Sequence, residues 1–541
     1  MVKEEKTYEF YCPEGKEEEL AEFTKRKIIP EDGIYILTKE KAIAPMDEGV
    51  LLPTPNTKAI WKRKAEMEAK NNETQSEAQP LQKKIWQLLL QKDVDQATER
   101  IFDAFLEKNF VYTTRHDDKS EMWIYNNGIY VPHGKSFIKQ FCREILGIAY
   151  TEKLTNRVIA KIEADTYIDQ KQFFSNNIIE KIAVENGLLN IFTRELEDFD
   201  PKQIFFNKHP VTYNPQSECS SIKKHFEAIT KHEDDPLLLQ EIIGYCLLKK
   251  HHIEKAFMFN GSGRNGKSKT EELIKKFLGE ENCSNISLDR LENDNFSTSE
   301  LFGKLANLSG DITGGIINDS STFKQITGGD SISARRKFLT DIYFQSYTKQ
   351  IYCCNELPKS KDDSFAFWNR WILLEFPHTF LSSEELEKIT EDEKEELKKH
   401  EGGKYKLADK ELIMKITTPE ELSGLLNLAL DGLDRLMKNK NFTYSKSTEQ
   451  VKEKWIRKSD NFSAFLTDCV QENYSGKVSK QELKEKYSKY CNKYKLKMVS
   501  DVEIAKTITS KLAVTTSRIM EEGNSKNVWN GILLKGDVLC K

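Results

Sequence analysis

Cysteine is sparse and scattered in this chain, ten residues in 541 running from Cys12 to Cys540. No C-x-x-C spacing occurs, and the one close pair is the adjacent Cys353-Cys354. A zinc ribbon and a disulfide framework therefore have no basis, and reduced, mostly buried thiols in a cytosolic protein are expected. Glycine (26) and proline (14) are too few for collagen-like or low-complexity classes. No apolar run approaches the roughly 18 residues that a membrane span needs. The first residues, MVKEEKTYEFYCPEGKEEEL, lack the apolar stretch of a secretory leader. A surplus of positive charge is absent as well: 82 Lys and Arg face 86 Asp and Glu, net −4. Any nucleic-acid surface must therefore be local.

What is present suffices for several cores. Hydrophobic residues are 38% and charged residues 31%, and the length suggests three or four domains at about 150 residues each. Residues 1–80 read as an N-terminal module ending in a charged, amide-rich linker, KRKAEMEAKNNETQSEAQP (62–80). Residues 81–231 read as mainly helical, with a hairpin around Asn126-Asn127-Gly128. Residues 232–444 alternate strands and helices in an α/β pattern, with a charge-dense, exposed helix expected within 384–410. Residues 445–541 carry 19 Lys/Arg against 12 Asp/Glu, the one locally basic region. Helices are expected from Phe462, from Lys480 capped by Ser479, and from about Val502, with two strands around Glu521-Glu522-Gly523-Asn524. His116-Asp117-Asp118 and His232-Glu233-Asp234-Asp235 sit in polar, turn-like contexts and read as loops, and His251-His252 as solvated.

The sharpest motif is Gly261-Ser262-Gly263-Arg264-Asn265-Gly266-Lys267-Ser268, which fits G-x-x-x-x-G-K-[ST]. An apolar strand (256–260) leads in and an amphipathic helix (269–278) leads out, ended by Gly279. The glycines let successive N–H groups turn inward onto phosphate oxygens. Lys267 would neutralise phosphate charge and the Ser268 hydroxyl would ligate Mg²⁺. Leu305-Ala306-Asn307-Leu308-Ser309-Gly310-Asp311 offers a strand ending in a carboxylate, although Asp after Gly is commonly a turn residue. A further strand, 350–354, ends in Asn355, which would orient a water or simply form a turn. Arg370 lies between Trp368 and Trp371, as a cation–π partner or as a finger toward a neighbouring subunit's phosphate. Arg335, Arg336 and Lys337 cluster beyond the Gly328-Gly329 turn, suited to backbone phosphates or to plain solvation.

The order of these elements resembles the superfamily 3 helicases, and more closely the phage/plasmid P4-type and poxvirus D5-type group. The likeness is carried by GSGRNGKS (261–268), KLANLSGDI (304–312), FKQITGGDSISARRKF (323–338), IYCCNELP (351–358) and FWNRWILLEFP (367–377). Upstream, ENGLLNIFTRELEDFDP (185–201) and LLLQEIIGYCLL (237–248) are similar to the helical domain that precedes the ATPase. The resemblance implies an α/β, AAA+-like P-loop core, a preceding mainly helical domain and a C-terminal winged helix. It implies ATP and Mg²⁺, a homo-hexameric ring, single-stranded or forked DNA as partner, and 3′→5′ movement. Lys267 and Ser268 then match the Walker A lysine and metal ligand, Asp311 the Walker B acid, Asn355 the sensor and Arg370 the arginine finger. Lys337 matches the channel loop that contacts DNA. Lys480, Lys484 and Arg518 are candidates for phosphate contact in the winged helix. Two departures stand out: Gly310 occupies the place of a second Walker B acid, and Asn369 that of a second arginine.

A separate primase or polymerase is a further candidate partner, since fewer than 120 residues precede the helical domain and no strand carries D-x-D. The expected setting is the cytoplasm, the host's for a viral or phage protein, with no membrane partner. Two other readings remain open: an ATP-regulated origin-binding initiator without motor activity, and a P-loop kinase or NTPase acting on a small molecule.

Overall fold

The computed structural model describes residues 81–116, 119–175, 178–294, 296–310, 316–336, 341–388, 405–494, 496–521 and 524–536, with the backbone of three N-terminal strands. The chain divides into two compact units, residues 1–108 with 135–165, and residues 109–134 with 166–541. In the first unit, β1 (Thr7–Tyr11), β2 (Ile29–Glu31) and β3 (Ile34–Thr38) form an antiparallel sheet with β3 in the middle. Residues 81–90 are helical, and α1 (Val94–Lys108), α2 (Gly134–Leu146) and α3 (Glu152–Asp165) follow. Buried Ile101, Ala104 and Phe105 of α1 and Val158 and Ile162 of α3 recur at helical spacing, which gives each helix one apolar stripe to bury. The charged linker at 62–80 lies outside the described residues.

The second unit begins with β4 (Val111–Thr114), β5 (Met122–Asn126) and β6 (Ile129–Val131). Asn127 (φ 48°) and Gly128 (φ 98°) join β5 to β6 in the left-handed conformations that a two-residue hairpin turn requires. After β7 (Tyr167–Ile168) and α4 (Gln170–Ser175) comes a meander of β8 (Lys181–Val184), β9 (Gly187–Asn190) and β10 (Leu196–Glu197). The segment 81–231, expected to be mainly helical, thus carries these seven strands among its described residues and is shared between the two units. Trp123 of β5, Phe173 of α4 and Phe206 meet with centroids 5.2–5.7 Å apart, so one aromatic cluster packs these strands against the helix.

Helices α5 (Ser220–Ile229) and α6 (Asp235–Leu247) lead to a parallel sheet of five strands. Its members are β11 (Ala256–Asn260), β12 (Cys283–Ser284), β13 (Ala306–Ser309), β17 (Lys349–Cys354) and β19 (Trp371–Glu375), in the order β12-β13-β17-β11-β19. Both faces are covered, which is why these strands read as unbroken apolar runs. Phe257 and Phe259 face a layer made by α5, α6, α7 (Lys267–Leu278) and α12 (Pro419–Asn439). Ala256 and Met258 face the layer of α8 (Leu288–Asn293), α9 (Ser321–Gly328), α10 (Phe365–Trp368) and α13 (Thr448–Ser459). Gly244 allows α6 to press on α12, since a Cβ there would lie 2.1 Å from the Ala429 carbonyl. Lys349 is buried in β17, where its ammonium donates to the carbonyls of Leu248, Lys250 and Tyr347; burial pulls its pKa down to about 7. His251, expected to be solvated, instead packs beside Tyr245, and burial holds its pKa well below the usual value.

Around this sheet, β14 (Ile316–Ile317) pairs with β18 (Lys359–Ser360), and β20 (Thr379–Leu381) with β21 (Tyr405–Leu407). β15 (Ser331–Ala334) and β16 (Ile342–Gln345) form an antiparallel hairpin. Of the charge-dense stretch within 384–410, the start is the short α11 (Ser383–Glu387) and the end holds the strand β21, while 389–404 lie outside the described residues. The C-terminal part comprises α14 (Asn461–Cys469), β22 (Val470–Ser479), α15 (Lys480–Tyr494), α16 (Asp501–Lys511), β23 (Thr515–Glu521) and β24 (Asn524–Leu534). Its antiparallel sheet, ordered β22-β24-β23, and its helices enclose Phe465, Tyr487, Trp529 and Ile532. Ser479 caps α15 through a reciprocal exchange with Glu482. No described helix is long and apolar enough to cross a membrane.

Candidate nucleotide site

Parallel register decides which side chains meet. Asn260 lies beside Cys354 and Glu375, so β11, β17 and β19 end flush, and the glycine-rich loop leaves from that edge. Gly263 (φ 94°) and Gly266 (φ 91°) take left-handed conformations that turn the loop into α7. Gly261 serves by its small size: a Cβ would fall 2.0 Å from Asn265 Nδ2 and 2.6 Å from the Phe376 carbonyl. Gly266 is also tight, with a Cβ 2.6 Å from Ile229 Cγ2, whereas a Cβ on Gly263 would meet nothing within 4 Å; the turned-in backbone makes a cradle of the size a phosphate group needs.

Lys267 is 5% exposed. Its Nζ donates to the Gly261 carbonyl at 2.5 Å, to Asn265 Oδ1 at 3.3 Å and to Asn355 Oδ1 at 3.1 Å. Two residues singled out 88 positions apart are thereby in direct contact. Behind the loop, the buried His225 ring shares a hydrogen bond with Thr270 (3.1 Å); burial lowers its pKa to about 4, so it packs as a neutral imidazole. Ser262 and Ser268 are exposed on the open side. Arg264 is tied by a two-pronged ion pair to Glu385 (2.8 and 2.6 Å), which anchors the loop to α11.

Asp311 lies outside the described residues, but its neighbour Gly310 follows β13 beside the same sheet edge. There the structure adds a carboxylate that sequence reading missed. Glu271, one turn beyond Ser268 on α7, has Oε2 3.1 Å from where a Gly310 Cβ would stand, and it pairs with Lys275 at 2.6 Å. The i, i+3 spacing from Ser268 was the available signal.

Arg370 is on the other side of the sheet. Its carbonyl accepts from Ala256 N at the start of β11, so it precedes β19 at the edge opposite the glycine-rich loop. The guanidinium donates to Thr327 Oγ1 (3.0 Å), the Ala366 carbonyl (2.6 Å) and Glu254 (2.8 Å). Asn369 is held by Thr448 at 3.1 Å.

Among the nominated nucleic-acid residues, Arg335 is exposed at the end of β15, and Arg336 beside it is locked to Glu121 at 3.0 and 2.6 Å. Lys337 lies outside the described residues. Tyr343, opposite Ser333 in the hairpin, is 70% exposed and adds an aromatic face that charge counting overlooked. In the C-terminal part Lys480 lies 4.6 Å over the Trp529 ring, Lys484 pairs with Asp501, and Arg518 is exposed with Nε on Asn527. Among the described residues no His, Cys, Asp and Glu group is arranged for a metal ion.

Residues 3–231 match the model described as "D5 N terminal like". The chain resembles the D5-type helicase group. That match begins ahead of residue 81 and takes in the segment set apart above as an N-terminal module. Residues 259–370, from the loop to Arg370, match a second model described only as a family of unknown function, DUF5906. "Putative helicase L207/L206" of Acanthamoeba polyphaga mimivirus is 30% identical over 236 residues, 42% of this chain and 24% of that protein. "Putative helicase V13" of Sputnik virophage is 24% identical over 54% of this chain and 37% of its own length. "Putative helicase 121R" of Invertebrate iridescent virus 3 is 26% identical over 45% and 27%. The matched stretches thus span about a quarter to just over a third of these relatives. The solved C-terminal region of NrS-1 aligns over 80% of this chain and 99% of its own, with 16% identity and a TM-score of 0.39.

Proposed function

We propose that the chain is an ATP-dependent DNA helicase of the superfamily 3 kind, a hexameric ring that moves on single-stranded DNA during replication of a viral, phage or plasmid genome. The observation that carries this reading is the division of charged parts between opposite sheet edges. The phosphate-binding loop, Lys267 and Asn355 share one edge, while Arg370 stands at the other. Four residue steps of β11 separate them, about 13 Å at 3.3 Å per residue. An arginine cannot cover that distance within one chain, but a neighbouring copy in a ring presents its Arg370 side to the next loop. A kinase working as a monomer has no use for that arrangement.

In this reading residues 232–444 form an AAA+-type core. Lys267 and the loop amides hold the phosphates of ATP, and Asn355, already in contact with Lys267, orients water. Ser268 and Asp311 are the residues that would hold Mg²⁺, whose charge offsets that of the transferring phosphoryl group. Glu271, beside Gly310, supplies the second carboxylate that the pair Gly310-Asp311 lacks. The β15–β16 hairpin, with Arg335, Lys337 and Tyr343, is the strand-tracking element. Residues 445–541 act as a winged helix, where Lys480, Lys484 and Arg518 meet DNA phosphate.

ATP turnover measured with and without oligo-dT, alongside particle mass, tests the whole reading. A ring whose turnover rises with oligo-dT is expected. DNA-independent turnover by a monomer would favour the small-molecule enzyme, and tight origin binding without strand displacement the initiator.

A further inference from the structure

A cavity of about 510 Å³ opens beside α13, and its walls are cationic: Lys446, Lys454, Arg457 and Lys458 against a single carboxylate, Glu453. Lys454, Arg457 and Lys458 stand at i, i+3 and i+4, on one face of α13. Like charges at that spacing oppose helix formation unless something answers them. The answers inside the protein are few. Lys454 and Lys458 share the one carboxylate of Glu375 at the end of β19. Arg457 pairs with Asp468 at 3.0 Å and lies 4.3 Å over the Tyr494 ring. Burial, and then the nearby charge of Lys454, lower the pKa of Lys446, as expected for a cation with too little negative charge around it. Tyr494 closes the cavity at the end of α15, the helix that also carries Lys480, Lys484, Lys486, Lys489 and Lys493.

The cavity is also wired to the nucleotide site. Lys458 Nζ donates to Asn260 Oδ1 at 2.9 Å, Asn260 Nδ2 donates to the Asn355 carbonyl at 3.3 Å, and Asn355 Oδ1 accepts from Lys267 at 3.1 Å. An anion that draws Lys458 toward the cavity therefore pulls on the residue that faces the phosphate-loop lysine.

We propose that this cavity binds a backbone phosphate of single-stranded DNA and passes its occupancy to the nucleotide site through Lys458, Asn260 and Asn355. The coupling half rests on the nucleotide-site reading above; the binding half does not. A polynucleotide is favoured over a free nucleotide because the cavity continues the lysine-rich helix α15, and a row of cations suits a repeating phosphate chain.

The experiment uses the full chain. Labelled oligo-dT is titrated against wild type and Lys446→Ala/Lys454→Ala by anisotropy at several salt concentrations, with a fluorescent ATP analogue titrated in parallel. The double variant should weaken oligo-dT about tenfold and flatten the salt slope by about 1, near the 0.7 per phosphate of single strands. Unchanged oligo-dT affinity overturns the proposal, and lost analogue binding in its place assigns the cavity to free nucleotide. Acylation of wild-type lysines read by mass spectrometry avoids any folding defect: oligo-dT should protect Lys446 and Lys454 several-fold, and equal labelling overturns the site. Asn260→Leu should bind oligo-dT as wild type does yet lose its stimulation of ATP turnover; retained stimulation removes the coupling. Absence of turnover in wild type would sink the nucleotide-site reading while leaving the binding and protection results to decide the cavity.

Discussion

Replacing Arg370 by alanine tests whether two copies share each nucleotide site. The side chain is 13% exposed and makes three hydrogen bonds within its own chain, so its loss has a structural cost as well as any effect on chemistry. The two can be separated. An arginine finger contributes on the order of 10³–10⁵ in turnover, whereas loss of a partly exposed ion pair costs about 1 kcal/mol or less. Pure Arg370→Ala and pure Lys267→Ala rings should both be inactive. In a random one-to-one mixture, an interface works when a subunit with an intact loop meets one with an intact arginine. That occurs at roughly a quarter of interfaces in a closed head-to-tail ring, so the mixture should recover about that share of wild-type turnover per site. ATPase assays on subunits mixed before ring assembly, with thermal melts of each variant, give the result. No recovery from two folded variants, or near-normal turnover by Arg370→Ala alone, refutes the reasoning.

Gly261→Ala should destabilise by about 1–3 kcal/mol and weaken nucleotide binding, because the added methyl meets Asn265 and the Phe376 carbonyl; melts and analogue titration check it. Burial pushes the Glu375 carboxyl up, but Lys458 and Lys454 together hold it at about 2 against an ordinary 4.5. A carboxyl depressed by folding contributes stability above pH 4.5 that is lost as pH falls toward 2, here about 3 kcal/mol, and Glu375→Gln should flatten that acid limb in melts across pH. Arg335→Ala should lower oligo-dT affinity and its salt slope by about 0.7 with an unchanged melting temperature, while Arg336→Ala should lower the melting temperature.

The glycine-rich loop and its flanks were legible because their signals are local: an unbroken apolar strand, glycines at fixed offsets, and an amphipathic helix closed by Gly279. The hairpin at Asn127-Gly128 was legible for the same reason, since turn chemistry is written in adjacent residues. Lys349 was not, because a lysine in an apolar run reads as a strand end until three carbonyls are found around it. Neither was the Asn355–Lys267 contact, which parallel register creates between strands distant in sequence. Glu271 showed only as a surface-like Glu-Lys pair, and the cationic cavity joins Lys446 to Tyr494 across two elements that share no motif.

Ion pairing within the chain re-sorts the basic residues. Arg336 and Glu121 have side chains 13% and 16% exposed and two short hydrogen bonds, so offering that arginine to a phosphate strands a half-buried carboxylate. Leaving a part-buried carboxylate without its partner costs about 1–3 kcal/mol, more than a single exposed phosphate contact returns. Arg336, just past the end of β15, is therefore better placed to fasten the turn end of the β15–β16 hairpin to the β4–β5 connection than to hold DNA. That ion pair leaves Arg335 and Tyr343 as exposed basic and aromatic side chains of the hairpin. In the proposed motor, a hairpin fastened in this way would transmit displacement of the core to a bound strand, whereas one whose every cation exchanged between carboxylate and phosphate would dissipate it.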